Sequence, residues 1–301
     1  MSPKIRGILP VLHTPLDACG QVDELALSKI VEFLVSQDIG GIWVLGTGGE
    51  DMNLTIAQRK TVVRTAHSQN KGRKPLVVGT SFYSFEDSCD FLEFLNQFEL
   101  HGVHYTPYQQ LISLDRVKYC YFELAKRSKN PVWMYSSANW CQHIPPSFVR
   151  EMKGTPNIVG MKYSTSNIAH LTEVASLVDD EFNIISAVAS TLVPSLTVGV
   201  DGATSSLAGA FPEPLIEIYE CFLRGDIRES MALQRKLNEF TSKWPKSLSK
   251  DNFLKAAEEK SILEYRGLCG RATSTYYRHA TDDESKLIVD LFKEYYPNLS
   301  V

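Results

Sequence analysis

Several large classes of protein are excluded by what this sequence lacks. Its six cysteines (Cys19, Cys89, Cys120, Cys141, Cys221 and Cys269) are scattered, and no two form a C-x-x-C pair. That argues against a zinc ribbon or a disulfide framework and suggests free thiols in a cytoplasmic setting. No stretch of about 18 apolar residues occurs, so no membrane-spanning helix is expected. The opening MSPKIRGILPVLHTP has no apolar core of a secretory leader. The net charge is only −4, so neither nucleic acid nor an anionic membrane is expected as a partner. No G-x-G-x-x-G follows the first apolar run, which disfavours a dinucleotide fold. Clusters of His, Cys and carboxylates are also missing, so no metal and no cofactor is expected.

The composition, 44% apolar and 22% charged, is that of a soluble globular protein with ample length for a large core. Short apolar runs recur at Ile5–Leu12, Gly41–Leu45, Leu76–Gly79, Gly102–Tyr105, Pro131–Tyr135, Ile158–Lys162, Asn183–Ser186 and Gly202–Ser205. Each is too short for a helix, and most are rich in β-branched or aromatic residues. Helix-like stretches lie between most of them: Asp23–Gln37, Ile56–Ser68, Ser84–Asn96, Asp115–Lys126, Pro146–Met152 and Ile168–Val178. In the first, Leu25, Ile30, Phe33 and Leu34 suggest one apolar face, with Asp23 as N-cap. After the eighth run the chain reads as helical from about Glu213 through Thr241, then over Lys250–Glu264 and Asp283–Tyr295. Repeated strand–helix alternation predicts a parallel sheet with crossover helices, here a (β/α)8 TIM barrel. The expected division is a barrel over residues 1–225 and a C-terminal helical extension over 226–301.

A barrel of this kind carries its chemistry at the C-terminal ends of its strands. Those ends deliver His13-Thr14-Pro15, Gly46-Thr47-Gly48-Gly49-Glu50, Tyr105-Thr106-Pro107-Tyr108, Tyr135-Ser136, Lys162 and Ser205-Ser206. Lys162 is either a structural lysine whose ammonium reaches solvent or a desolvated amine able to attack a ketone. Tyr135 is either a space-filling phenol or a proton carrier beside that amine. The glycine-rich Gly46–Glu50 segment is either a tight turn or a nest of N–H groups for a carboxylate, with the Thr47 hydroxyl available for proton transfer. It does not match a phosphate loop. Glu50 is expected to cap the following helix.

Taken together, these residues resemble the pyruvate-dependent class I aldolase family that contains N-acetylneuraminate lyase and dihydrodipicolinate synthase. The resemblance spans about Gly7 to Arg271. GTGGE at Gly46–Glu50 matches the family's G-[ST]-x-G-E. Tyr135 matches its strand-five tyrosine, Gly160-Met161-Lys162 its lysine motif, and Asp201-Gly202-Ala203 its strand-eight segment. The resemblance implies a homotetrameric lyase that takes pyruvate, or a 2-keto acid with a pyruvate moiety, as a lysine imine. Lys162 would be the nucleophile, Thr47 and Tyr135 would shuttle protons, and Thr47 and Gly48 would hold the carboxylate. Tyr108, Gln109, Trp140 and Ser205 are the expected substrate contacts, with His143 nearby.

The departures bear on substrate. Trp140 stands where the synthase has a carboxylate-binding arginine, and Gln109 where it has a second tyrosine. Ala189 and Ser190 stand where the sialic acid lyase has an Asp-Glu pair. The expected function is therefore cleavage or formation of a pyruvate-derived 2-keto acid, with 2-keto-3-deoxy sugar acids as candidates. A synthase-like or sialic-acid-lyase-like enzyme, or a retired barrel that only binds a keto acid, are the alternatives.

Overall fold

The computed structural model describes residues 4–137, 141–252 and 254–299. Each apolar run forms a strand. They are β1 (Gly7–Pro10), β2 (Ile42–Val44), β3 (Leu76–Gly79), β4 (Gly102–Tyr105), β5 (Val132–Ser137), β6 (Ile158–Ser164), β7 (Asn183–Ser186) and β8 (Gly202–Ser205). All pairings are parallel, in the order β1-β8-β7-β6-β5-β4-β3-β2. A bridge between Val11 and Trp43 joins β1 to β2, and the Leu12 N–H donates to the Trp43 carbonyl at 2.9 Å. The sheet is thereby closed into a (β/α)8 TIM barrel with additional C-terminal helices.

Helices cross between the strands, because a parallel strand pair cannot be joined by a tight turn. They are α1 (Glu24–Val35), α2 (Ile56–Asn70), α3 (Phe85–Leu95), α4 (Leu114–Arg127), α5 (Pro146–Met152), α6 (Ile168–Ala175), α7 (Leu192–Thr197) and α8 (Ser206–Ala210). Then come α9 (Glu213–Leu223), α10 (Ile227–Ser242), α11 (Lys246–Asp251), α12 (Ala256–Tyr265) and α13 (Asp282–Tyr295). Asp23 caps α1 by accepting the Ala26 N–H, as its sequence position suggests. The buried stripe of α1 is Ala26, Leu27, Ile30, Val31, Leu34 and Val35, whereas Leu25 is 72% exposed. The expected helix from Glu213 to Thr241 is two helices, broken where Gly225 takes a left-handed φ of 82°. Glu50 does not cap a helix with its side chain, because α2 starts later, on a Thr55–Gln58 capping box.

The barrel interior is filled by Leu9, Val11, Trp43, Val77, Trp133 and Ile185. Two glycines make room for the large rings. A Cβ on Gly160 would come within 3.0 Å of the Trp133 ring, and one on Gly79 within 2.8 Å of His104. Trp43 and His104 stack with ring centres 4.4 Å apart, and Trp133 meets Trp43 edge-on at 6.0 Å. These rings fill the middle of the barrel and form the floor beneath its C-terminal mouth. Outside the sheet, Phe211, Phe240, Phe292 and Tyr296 pack together and join the C-terminal helices to the barrel.

Candidate active site

Lys162 is not the last residue of its strand, since β6 continues to Ser164. The register of β6 against β5 shifts by one residue near Val132, so that Trp133 faces Gly160 and Tyr135 faces Lys162. Side chains alternate along a strand, so this shift decides which residues look inward. Trp133, Tyr135 and Lys162 all share the interior face. The Lys162 Nζ lies 4.2 Å from the Tyr135 ring centre and 5.1 Å from that of Trp43. Lys162 is 4% exposed. Its pKa is lowered from 10.5 to about 7, chiefly because burial disfavours the ammonium; Asp51 and Cys141 pull the other way. A large fraction of neutral amine at physiological pH is what attack on a carbonyl requires.

The Gly46–Glu50 segment follows β2 and makes one tight helical turn over Thr47–Gly49. It lies pressed between neighbouring strand ends. A Cβ on Gly48 would come within 2.6 Å of the Ser206 Cβ, and one on Gly49 within 2.5 Å of the Leu12 carbonyl oxygen. The Thr14 hydroxyl donates to the Gly49 carbonyl at 2.8 Å. The Thr47 hydroxyl is buried and, among the described residues, has no hydrogen-bond partner. Burying a hydroxyl without a partner is costly, which suits a group waiting for a ligand. Glu50, 1% exposed, accepts the Ser274 N–H at 2.7 Å and pairs with Lys260 of α12 at 2.5 Å. Its left-handed φ of 63° turns the chain out of the loop.

A second buried group interacts with the amine electrostatically. Asp51 is 1% exposed and accepts from the Tyr108 hydroxyl at 2.8 Å, with Arg59 Nη1 at 3.9 Å. Burial pushes the Asp51 carboxyl up, and Arg59, Tyr108 and Lys162 offset part of that. Arg59 is held by the Ser81 carbonyl at 2.5 Å and lies 3.9 Å over the Phe82 ring. Tyr108 thus approaches the site through Asp51. Sequence reading missed Asp51 and Arg59, for an acid in a turn and an arginine on an ordinary helix carry no signal of burial.

The expected contacts Lys162, Tyr135, Thr47, Gly48 and Tyr108 all lie around the C-terminal mouth. Ser205 closes β8 and is 8% exposed, while its carbonyl accepts the Val11 N–H at 3.0 Å. Gln109 is half-buried in the loop after Tyr108, and Trp140 lies outside the described residues. His143 stacks with His170, ring centres 5.9 Å apart. The Ala189–Thr191 turn presents no carboxylate, and the Ala189 and Ser190 carbonyls accept from Gln234 and Asn238 of α10. A cavity of about 590 Å³ opens at the opposite end of the barrel, by the starts of β5, β6 and β7. Among the described residues, no group of three or more His, Cys, Asp or Glu could hold a metal, and no helix is long and apolar enough to cross a membrane.

Comparison with known proteins gives a consistent family. The chain is 28% identical over 234 residues to a 4-hydroxy-tetrahydrodipicolinate synthase of Teredinibacter turnerae, covering 77% of this chain and 80% of that one. It is 25% identical over 240 residues to the probable 2-dehydro-3-deoxy-D-pentonate aldolase YjhH of Escherichia coli, covering 78% and 80%. Its fold matches that of YagE from E. coli K12, solved in complex with pyruvate, with a TM-score of 0.88, 20% identity and coverage of 96% and 98%. The dihydrodipicolinate synthetase family model matches residues 4–273. The chain belongs to that family, whose members are class I lyases and aldolases that form a Schiff base with pyruvate.

Proposed function

We propose that this enzyme cleaves or forms a short 2-keto-3-deoxy acid through an imine on Lys162. The observation that carries the reading is the burial of this amine beside Tyr135, with a pKa near 7. The neutral Lys162 amine attacks the substrate's C2 carbonyl, and loss of water leaves an iminium. In the cleavage direction the C4 hydroxyl loses its proton and the C3–C4 bond breaks. Its electrons pass into the iminium to give an enamine and release an aldehyde. The enamine is then protonated at C3, and hydrolysis frees pyruvate and restores Lys162. Tyr135 and Thr47 carry the protons, and the Thr47–Gly48 backbone holds the carboxylate.

The substrate assignment rests on which polar groups surround the site. Ala189 and Ser190 bring no carboxylate acceptor for a long polyol, so each hydroxyl left unpaired there would cost about 1–3 kcal/mol. Gln109 replaces the tyrosine, and Trp140 the arginine, expected of the synthase, which counts against that activity despite the similarity to synthases. A binding-only barrel would have little use for a desolvated amine of this kind. The test is to incubate the enzyme with 2-keto-3-deoxy pentonates and hexonates, sialic acid, and pyruvate plus aspartate semialdehyde, and to follow pyruvate release or consumption. Cleavage of a five- or six-carbon acid with sialic acid untouched supports the assignment. Turnover only with the semialdehyde would replace it with the synthase reaction.

We also propose that the chain acts in the cytoplasm as a homotetramer. Leu111 and Tyr83 are 98% and 68% exposed in the single chain, and both lie in loops at the mouth of the barrel. Large apolar groups left uncovered there suit burial against a second copy. Sedimentation equilibrium should return four times the 33.8 kDa chain mass; a monomer would contradict this.

A further inference from the structure

Helix α12 is buried along most of its length, including three consecutive ionisable residues, Glu258, Glu259 and Lys260. A solvated helix would turn such residues outward. Here two of them bear on the segment that follows β2, Lys260 directly and Glu259 through Ser206. Lys260 pairs with Glu50 at the end of that segment. Glu259 accepts from the Ser206 hydroxyl at 2.8 Å, and Ser206 is the residue whose Cβ stands against Gly48. His13, three residues past the end of β1, completes the group. Its Nε2 lies 3.1 Å from the Ser206 carbonyl oxygen and 3.4 Å from Glu259 Oε2. A carbonyl only accepts, so Nε2 carries the hydrogen.

We propose that Glu259 is a positioning residue for the carboxylate cradle, fixing through Ser206 how closely the end of β8 approaches Gly48. The inference rests on the reading of Thr47–Gly48 as the holder of the pyruvate carboxylate. Ser206 is gripped from two sides, by Glu259 at its hydroxyl and His13 at its carbonyl. A shift of Ser206 by a few tenths of an ångström changes the space available to Gly48, where even a methyl group would not fit. The catalytic lysine sits on β6 and is not held by this group. Loss of Glu259 therefore weakens pyruvate binding without removing the amine.

The charge state of the group makes the inference testable. Burial raises Glu259 to about 8 and lowers His13 to about 4. The groups that face Glu259 are Ser206, His13 and Glu50 from the barrel and Glu258 and Lys255 from its own helix. At pH 7 the carboxyl is thus largely uncharged, and glutamine reproduces it.

Borohydride trapping of the pyruvate imine, titrated against pyruvate at pH 7, separates binding from chemistry. Glu259→Leu should raise the half-saturating pyruvate concentration about tenfold while the final adduct yield is kept. Glu259→Gln should restore it to within about twofold of the wild type. Wild-type trapping should weaken above about pH 8, and Glu259→Gln should not share that alkaline loss. Ser206→Ala, a small change that removes the hydroxyl without crowding α12, should raise half-saturation in the same direction as Glu259→Leu. An unchanged half-saturation in both Glu259→Leu and Ser206→Ala overturns the inference, as does a Gln variant as impaired as Leu. No adduct in the wild type would instead overturn the imine reading itself.

Discussion

Tyr135 and Lys162 are direct partners in the β5–β6 register, and the amine stands 4.2 Å from the centre of the phenol ring. The pairing depends on one register shift, between Val132 and Trp133. Without it, every later side chain of β6 would face the opposite side of the sheet. Burial is what lowers the amine's pKa: beneath the mouth it is cut off from the water that would hydrate an ammonium.

Lys162 should therefore destabilise the fold at neutral pH. Its pKa is about 7 in the native state against an ordinary 10.5. Between those values the unfolded chain binds more protons, so wild-type stability rises with pH across that interval, and the penalty is complete below pH 7. Lys162→Met removes the penalty. Urea unfolding at pH 7 should show the variant more stable by a few kcal/mol, with the difference shrinking toward pH 10.

The same pKa sets the acid limb of activity. The rate of adduct formation at low pyruvate should rise through about pH 7 and fall about a hundredfold by pH 5. Burial holds His104 well below its ordinary value and His13 to about 4, so neither histidine produces a limb at pH 7. A profile flat between pH 5 and 7 would remove Lys162 from the chemistry.

Thr47 should separate activity from stability. Its hydroxyl is buried without a partner among the described residues, so Thr47→Val loses no hydrogen bond. The variant should unfold at the same urea concentration or a higher one, while turnover falls about a hundredfold if the hydroxyl carries a proton as proposed. Equal losses of both would assign the hydroxyl a structural role.

Much of this arrangement is legible in the sequence, because strands buried on both faces read as short apolar runs. β3, β4, β7 and β8 have the bounds that their runs suggest, whereas β5 and β6 run two residues past Tyr135 and Lys162, where their runs stop. What is hidden has physical reasons. The ends of β5 and β6 carry Ser136, Ser137, Tyr163 and Ser164, whose polarity reads as loop although all lie in the sheet. α7 and α8 are too short to show a helical period. Asp51 and Glu259 read as surface acids and Glu50 as a helix cap, because burial of a carboxylate depends on partners far along the chain: Tyr108 for the first, Ser206 for the second and Lys260 for the third.

The Glu50–Lys260 pair ties that hidden layer to stability. Both residues are 1% exposed or less. Lys260→Met leaves a buried carboxylate unpaired and should cost about 3–5 kcal/mol in urea unfolding. The double variant Glu50→Gln with Lys260→Met should recover more than half of that loss; additive losses would show that the two residues act independently.

Every step of the proposed reaction depends on the Lys162 amine as the nucleophile. The most direct test of that role is reduction with borohydride in the presence of pyruvate, read by intact mass and peptide mapping. One reduced-pyruvate adduct per chain is expected, on the peptide containing Lys162, and none in Lys162→Met. An adduct on another lysine, or none in folded wild-type protein, would contradict it.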